Sequence, residues 1–263
     1  MARKMSLLIL AAACLALAAC NSGPSSSSSA GASSSGKDKA AVLERKVEHI
    51  EGLLAQRSQA GSVLDALMSA LPDRVRLTDV AYDSGKVRVK GNAPSNNLVA
   101  DYLSRLEGSP SLTNVALRTS AMKIVRGRES QEFALEALAR DAGSAPLPAG
   151  QPLAARLAEL EKALPARQDN AEMLRDLQRL ALEAGLQMSK LAPSAVTPGE
   201  FTSNWPVAIE VSGEPGELDR YLKGLADLPR LWVVDKFSFK AVSADDPRSP
   251  VRASITARTY FSP

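Results

Sequence analysis

The sequence predicts an α+β fold made of two tandem copies of one small domain, and three observations support this prediction. The first is a repeat, because residues 91–115 read GNAPSNNLVADYLSRLEGSPSLTNV and residues 213–233 read GEPGELDRYLKGLADLPRLWV. Each copy begins with a glycine that ends an alternating apolar run, and each has the same spacing from a Tyr-Leu pair to a proline. Heptad-spaced apolar residues precede both copies. A period of about a hundred residues is too long for a solenoid, so the chain is a tandem.

The N-terminus predicts a bacterial lipoprotein signal peptide over residues 1–19. Arg3 and Lys4 form a short basic region, and the apolar stretch after them is short for a transmembrane helix. It closes with Leu-Ala-Ala-Cys, in which small side chains fit a peptidase cleft and the Cys20 thiol accepts a diacylglyceryl group. This segment resembles a lipobox; an uncleaved signal anchor and an ordinary signal peptide are the alternatives. Asn21 favours the outer over the inner membrane for the anchor.

Composition and charge exclude some classes of function. Hydrophobic residues make up 45% of the 263-residue chain and charged residues 23%, as in globular proteins. The formal net charge is +3, and removing Arg3 and Lys4 with the signal lowers it to +1. A chain so close to neutral has no general attraction for phosphate. Aromatic residues make up only 4% of the chain, so a stacking surface for nucleic acid is not expected either. Cys14 would leave with the signal and Cys20 would be acylated, so no disulfide is expected.

A Ser/Gly-rich tether is predicted over residues 20–38, and a coiled-coil helix over residues 39–71. Apolar residues recur along this helix at spacings of four and three, interrupted by Arg57 and Gly61. The predicted coiled-coil interface consists of Leu43, Val47, Ile50, Leu54, Leu64, Met68 and Leu71. Charged residues leave only a narrow apolar stripe, which favours a coiled-coil partner over packing on the helix's own domain. His49 lies off this seam and is expected to be solvated.

The first predicted domain covers residues 72–140. Alternating apolar residues predict two strands joined by a Tyr-Asp-Ser-Gly turn, then the helix of the repeat, then two further strands. The predicted segments are residues 75–80, 86–90, 95–107, 115–124 and 129–138. With the end of the coiled-coil helix in front, the element order is αββαββ.

A linker rich in Pro, Gly and Ala over residues 141–152 precedes the second domain, residues 153–263. That domain begins with heptad-spaced leucines and repeats the order αββαββ, with an unexplained loop over residues 196–205. The predicted segments after the heptads are a helix at residues 169–185, strands at 186–192 and 207–212, a helix at 217–228, and strands at 231–239 and 251–261. The order is that of a permuted ferredoxin-like domain, with two helices on one face of a four-stranded antiparallel sheet.

Two stretches carry a resemblance to known families. Residues 40–138 resemble the periplasmic part of the PilN family through the coiled helix, LPDRVRLTDV and VRVKGNAPSNNLVADYLSRLEGSP. Residues 153–261 resemble the PilO family through EKALPARQDNAEMLRDLQRLALEAGL and LKGLADLPRLWVVDKFSF. The resemblance implies the alignment subcomplex of the type IV pilus machine, whose inner-membrane subunits form dimers. It also implies protein partners: a second copy or other pilus subunits, a PilP-like lipoprotein, a secretin and pilins. PilN-like proteins begin with a cytoplasmic motif and a transmembrane helix, which the predicted lipoprotein signal replaces here.

The sequence predicts no catalytic residue, no metal site and no cofactor, because no set of side chains has the required spacing. Trp205 and Trp232 are candidate partner anchors, with core or loop-cover roles as the alternative. The predicted function is a non-enzymatic periplasmic scaffold that links inner-membrane machinery to secretin components through coiled-coil and domain dimerisation. The alternatives are a type II secretion platform component and a periplasmic lipoprotein that binds a small ligand.

Overall fold

The computed structural model describes residues 32–125, 128–140, 152–162, 164, 170–243 and 249–262. Ala40–Pro263 forms one compact unit. The predicted lipobox with Cys20, the first part of the predicted tether and most of the predicted linker lie outside the described residues.

Both halves of the chain have the predicted order of helix, two strands, helix and two strands. The elements leading to and forming the first half are α1 Ala32–Arg57, α2 Gln59–Ser69, β1 Arg76–Asp83, β2 Lys86–Ala93, α3 Asn96–Glu107, β3 Leu112–Val125 and β4 Arg128–Ala139. Those of the second half are α4 Leu153–Glu161, α5 Asn170–Ala184, β5 Gln187–Pro193, β6 Ser203–Gly213, α6 Pro215–Asp227, β7 Trp232–Ala241 and β8 Val251–Phe261. The α+β class and the two αββαββ copies are confirmed.

The strands form a single eight-stranded antiparallel sheet in the order β3-β4-β2-β1-β7-β8-β6-β5. The sequence predicts a four-stranded sheet in each copy, and each half keeps the same internal order of third, fourth, second and first strand. The two sheets are continuous because β1 at the edge of the first half pairs with β7 at the edge of the second. The halves thus join head to tail, leaving β3 and β5 outermost.

Helices α2, α3, α5 and α6 pack against the sheet in one hydrophobic core that runs through both halves. The tyrosines of the repeat, Tyr102 and Tyr221, occupy fully buried positions on α3 and α6. Burial raises the pKa of both hydroxyls. The Tyr102 hydroxyl also donates a 3.1 Å hydrogen bond to the carbonyl of Leu67, which ties α3 to α2. The repeat therefore marks core positions that hold the helical layer on the sheet.

The structure corrects the single helix predicted over residues 39–71 in two ways. Helix α1 begins at Ala32, within the stretch predicted as a tether, and the helix divides at Ser58. Arg57, which interrupts the heptads, donates a hydrogen bond to the carbonyl of Leu228 at the end of α6. Gly61 lies against the backbone of α6, where an added Cβ would sit 3.6 Å from the Leu222 carbonyl carbon. The interruptions of the seam are thus contacts with the second half. Past them, Leu64 is fully buried and Met68 and Leu71 are partly buried in the main core.

Candidate functional site

The junction between the two halves is the pairing of β1 with β7. Five residues of each strand pair in register, from Asp79 opposite Lys240 to Asp83 opposite Lys236. On the core side, the rings of Tyr82 and Phe237 stack with centroids 5.3 Å apart and an interplanar angle of 12°. Such an offset pair adds to the hydrophobic stabilisation from burial of both rings. The junction is therefore part of the core as well as a backbone ladder.

Charged side chains alternate in sign across the other face of the same junction. The register places Asp79 between Lys90 and Lys240, and Asp83 between Lys86 and Lys236. The Nζ atom of Lys236 donates a 3.1 Å hydrogen bond to Asp83, which lowers the pKa of that carboxyl group. Because a shift of one residue would exchange the two faces of β1, this charge pattern specifies the register in which the halves join.

We expect the Asp79→Lys variant to lower the free energy of unfolding by about 1 kcal/mol, because it places a third cation between two lysines. Urea denaturation would measure the loss, with Glu107→Lys at the exposed end of α3 as the control. Adding Lys240→Asp should restore part of the stability. A loss no larger than that of Glu107→Lys would contradict a role for these charges in the junction.

A second hydrophobic cluster joins α1 to α4. Val47, Ile50 and Leu53 of α1 are buried in it, with Leu54 partly buried. The residues packed against them belong to the second half of the chain, namely Leu153, Leu157, Leu160, Leu164, Leu231, Val233 and Tyr260. The predicted coiled-coil seam thus has an intramolecular partner, formed by the heptad leucines of α4 and the ends of β7 and β8. In this structure the seam is covered within the chain, but by the second domain and not by the helix's own first domain, where the alternative placed it.

Two ion pairs fix the direction of α4 relative to α1. The Nζ atom of Lys46 lies 2.6 Å from Glu161, and the guanidinium group of Arg156 contacts Glu51. The later residue of α1 is paired with the earlier residue of α4, so the two helices run antiparallel. The cost of desolvating these half-exposed charges offsets much of their attraction, so the pairs contribute direction more than stability.

Reversing the charge of Lys46 should test this antiparallel contact. We expect Lys46→Glu to lower the free energy of unfolding by about 0.5 kcal/mol, because it sets two carboxylates side by side, and Lys46→Glu with Glu161→Lys to recover most of the loss. Thermal unfolding of the two single variants, the double variant and the original chain completes the cycle. Additive losses, with no recovery in the double variant, would show that the helices do not pair in this way.

The loop over residues 196–205, which the sequence leaves unexplained, packs on α1. Thr202 is buried, and its Oγ1 atom lies 3.1 Å from Nε2 of His49. The Arg45 guanidinium group lies 5.9 Å from the ring centroid of Phe201. His49, expected to be solvated, is exposed on one side but has this hydrogen-bonding partner. The loop therefore holds α1 in place from the second half.

The two tryptophans lie in the main core. Trp205 is 4% exposed, and its Nε1 atom donates a 2.7 Å hydrogen bond to the carbonyl of Ser194. Trp232 is 2% exposed. Because both indole rings are covered by the chain itself, the structure assigns them the core role, which was the alternative to a partner anchor.

A cavity of about 290 Å³ opens between the halves at one end of the junction. Met68, Leu71 and Val75 line it from the first half, and Pro215 and Phe239 from the second. Within the described parts of the chain, no three His, Cys, Asp or Glu side chains are grouped as metal ligands require. None of the described helices is both long and apolar enough to cross a membrane.

Comparison with known proteins finds two family domains. Residues 62–138 match the family described as "Fimbrial assembly protein (PilN)". Residues 169–262 match the family described as "Type IVa pilus alignment subcomplex PilO C-terminal domain". The two matches follow each other along the chain, and each covers one αββαββ copy or most of one.

Relatives from Pseudomonas aeruginosa strain PAO1 agree with these matches. The chain is 30% identical over 101 residues to the type IV pilus inner membrane component PilO, covering 38% of this chain and 48% of the relative. It is 31% identical over 77 residues to the type IV pilus inner membrane component PilN, covering 29% of this chain and 39% of the relative. The chain therefore spans at most about half the length of either relative.

The chain is also similar to a crystal structure of the type 4 fimbrial biogenesis protein PilO from Pseudomonas aeruginosa, with 26% sequence identity and a TM-score of 0.36. The alignment covers 43% of this chain and 91% of the chain in that crystal structure. The family matches and the two relatives together show what the chain contains. It is a fused PilN/PilO-like protein, with a PilN domain at residues 62–138 followed by a PilO C-terminal domain at residues 169–262.

Proposed function

We propose that this chain is a non-enzymatic periplasmic scaffold of type IV pilus assembly, held at a membrane by a lipid on Cys20. The observation that carries the proposal is the presence of both alignment-subcomplex domains in one chain. Their joining into one sheet supports a permanent one-to-one pairing, because linkage gives the halves a very high effective concentration. Surfaces outside the junction are then free for other pilus components, such as a PilP-like lipoprotein, a secretin or pilins.

The packing of α1 supports a compact scaffold rather than an extended arm. Its apolar seam is covered by α4 and by the ends of β7 and β8, and the loop over residues 196–205 adds a further contact. The chain between Cys20 and the start of α1 at Ala32 would then set the distance from the membrane. A scaffold of this kind positions partners through folded surfaces, and dimerisation through the seam would first require α1 to separate from α4.

In-cell crosslinking of the tagged full-length chain, followed by purification and mass spectrometry, tests the proposed function. We expect a secretin, a PilP-like lipoprotein or pilins among the crosslinked proteins. Recovery of type II secretion components would instead favour the alternative function, that of a component of the type II secretion platform. Recovery of the chain alone would contradict the scaffold role.

The lipid anchor is tested separately by the Cys20→Ser variant. We expect the original chain to fractionate with membranes and to incorporate an alkyne-labelled fatty acid, and the variant to lose the label. Fractionation of inner and outer membranes would test the outer-membrane assignment that Asn21 favours. An unlabelled original chain would contradict lipidation at Cys20.

The cavity between the halves favours a second candidate function, the binding of a small apolar ligand by a periplasmic lipoprotein. Its lining is mainly aliphatic and aromatic, and its volume of about 290 Å³ is at the lower end of the range for ligand pockets. A thermal-shift screen of apolar compounds tests this function, with a Val75→Trp variant that fills the cavity as the control. A ligand that raises Tm in the original chain and leaves the variant unchanged would support it.

A further inference from the structure

The face of the sheet that points away from the helices carries an excess of positive charge on its four central strands, β2, β1, β7 and β8. Buried and exposed residues alternate along these strands, so the core lies on one side and the charged side chains on the other. Six exposed basic residues form what we call the basic face: Lys86, Arg88, Lys90, Lys236, Lys240 and Arg252. Two acidic residues, Asp79 and Asp83, stand opposite four of these six in the strand register.

The acidic residues at the borders of the basic face are paired with further cations. Glu136 of β4 is paired with Arg118 at 2.8 Å, and Glu210 of β6 is paired with Lys190 at 3.2 Å. Asp235 of β7 is held by Arg258 in the same way. Three members of the basic face form no ion pair among the described residues, namely Lys86, Lys90 and Arg252. The positive charge of the face is therefore only partly neutralised within the chain.

Some of these cations also repel each other. Lys240 of β7 and Arg252 of β8 lie directly opposite each other in the strand register. Like charges in such positions destabilise a sheet. The three basic residues of β2 also follow one another on one side of the strand, about 7 Å apart. This repulsion would be relieved if an anionic partner covered the face.

The layer on the other side of the sheet has the opposite charge. Helices α2, α3, α5 and α6 together contain nine acidic and five basic residues. The near-neutral net charge of the chain thus includes two layers of opposite sign. Close to an anionic surface, this separation of charge would turn the sheet toward the surface and the helices away from it.

We propose that the basic face binds the anionic headgroups of a phospholipid bilayer. The small residues Ala81, Ser238 and Ser254 lie side by side across β1, β7 and β8, in the middle of the basic face. The long basic side chains around them can therefore reach a flat surface together. A protein partner would favour apolar side chains at the centre of the contact, and single-stranded nucleic acid would favour aromatic ones. The basic face and its centre contain neither kind.

The helices of the second cluster leave the far end of the basic face open. Helices α1 and α4 share that cluster with Val233 and Tyr260, near one end of β7 and β8. Lys240 and Arg252 lie roughly 25 Å farther along the same strands. A bilayer can therefore approach these residues without displacing either helix.

This contact is distinct from the proposed lipid anchor and does not depend on the pilus assignment. A lipid on Cys20 would hold the compact unit near a bilayer at high effective concentration, and the basic face would decide which side of the unit meets it. Without the lipid, the charges of the face remain and the contact should still form. The two proposals can therefore fail separately.

Vesicle flotation of the chain from Asn21 onward tests the contact without the lipid, because this part of the sequence keeps the compact unit Ala40–Pro263. We expect it to float with vesicles of equal parts phosphatidylglycerol and phosphatidylcholine, and not with vesicles of phosphatidylcholine alone. Added salt should weaken the binding, since it screens exposed charges. A chain that binds neither kind of vesicle, or both equally, would overturn the proposal.

Neutralising three residues of the basic face should weaken the binding. Each lysine or arginine near an anionic bilayer strengthens binding by about fivefold. We therefore expect the Arg88→Gln/Lys90→Gln/Arg252→Gln variant to bind at least tenfold more weakly than the original chain. The variant should keep the Tm of the original chain, because it removes exposed charges, including one member of a repulsive pair. A variant that binds as tightly as the original chain would contradict the contact.

The matched control removes the same charge from the helical layer. Arg105→Gln/Arg175→Gln/Arg220→Gln changes exposed residues on α3, α5 and α6, and it should bind vesicles as the original chain does. Equal weakening in this control would show that net charge, rather than the basic face, drives binding. Binding of the original chain to duplex DNA but not to vesicles would assign the face to nucleic acid. Either result would overturn the bilayer contact.

A fluorescent label identifies the side of the molecule that meets the bilayer. The chain from Asn21 onward contains no cysteine, so Ser254→Cys places a single label at an exposed position in the middle of the basic face. We expect an environment-sensitive dye there to change its emission when phosphatidylglycerol vesicles are added. The same dye on Leu182→Cys, at a position 77% exposed on α5, should not change. A response at Leu182 and none at Ser254 would place the helices on the bilayer and contradict the proposal.

Discussion

Replacing Phe237 with alanine is expected to lower the free energy of unfolding by about 4 kcal/mol. Phe237 is 1% exposed, and its ring stacks on Tyr82 across the join between β1 and β7. The substitution removes the buried ring, leaves a cavity between the halves, and exposes one face of the Tyr82 ring to that cavity. The Tyr82 hydroxyl still reaches Gln59 Oε1 at 2.9 Å, so the loss should come from packing rather than from a hydrogen bond.

Urea denaturation followed by circular dichroism would measure this loss. The matched control is Phe201→Ala, which removes the same group from the half-buried loop that packs on α1. Because one core runs through both halves, we expect the original chain to unfold in one transition and Phe237→Ala to unfold at a lower urea midpoint. Equal midpoints for Phe237→Ala and Phe201→Ala would show that the junction does not bear on stability.

The two glycines of the repeat should respond differently to alanine. An added Cβ at Gly91 would lie 2.4 Å from the carbonyl oxygen of Arg76 on β1 and 2.5 Å from Cζ of Phe133 on β4. Backbone of a paired strand and a buried ring cannot both move away, so we expect Gly91→Ala to lower the free energy of unfolding by about 3 kcal/mol. The loss would come from the close approach of neighbouring strands, since Gly91 lies on β2 between β1 and β4.

Gly213→Ala is the matched control for Gly91→Ala, because it makes the same change at the equivalent point of the repeat. Its added Cβ would meet the ends of two side chains, Glu217 at 2.5 Å and Leu186 at 2.6 Å, which can rotate away. Moving Glu217 would weaken its hydrogen bond to the Glu214 amide at the start of α6, at a cost of about 1 kcal/mol. Thermal unfolding of both variants compares the two sites, and a larger loss at Gly213 would contradict the close contact of Gly91 with Arg76 and Phe133.

The element order was predictable because it depends on local patterns. Alternating apolar residues mark β8 at residues 251–261 as the structure has it, and the predicted helix at residues 95–107 differs from α3 by one residue. In β6 the strand begins four residues earlier than predicted, at Ser203. Pro206 lies within this strand, and a proline lowers the expectation of a strand from sequence alone.

The partner of the heptad seam was not predictable, because a narrow apolar stripe fits a coiled coil and a short intramolecular contact equally well. The spacing of Val47 and Ile50 fits both kinds of contact. Only the cluster that they form with Leu160 and Val233 identifies the intramolecular contact. The two interruptions of the seam, at Arg57 and Gly61, could have indicated this intramolecular partner. A polar residue and a glycine within a seam are unfavourable in a long coiled coil, but they fit a helix that crosses another helix closely.

The sequence by itself determined the repeat, the αββαββ order of each copy and the family of each half, since these reside in local periodicity and in motifs. Only the tertiary structure decided that the two sheets become one through β1 and β7, that α1 packs antiparallel to α4, and that Trp205 and Trp232 lie inside. The physical reason is that strand edges and apolar stripes are generic surfaces. Many pairings satisfy the backbone and bury apolar area, and the whole chain's packing and charge register select one of them.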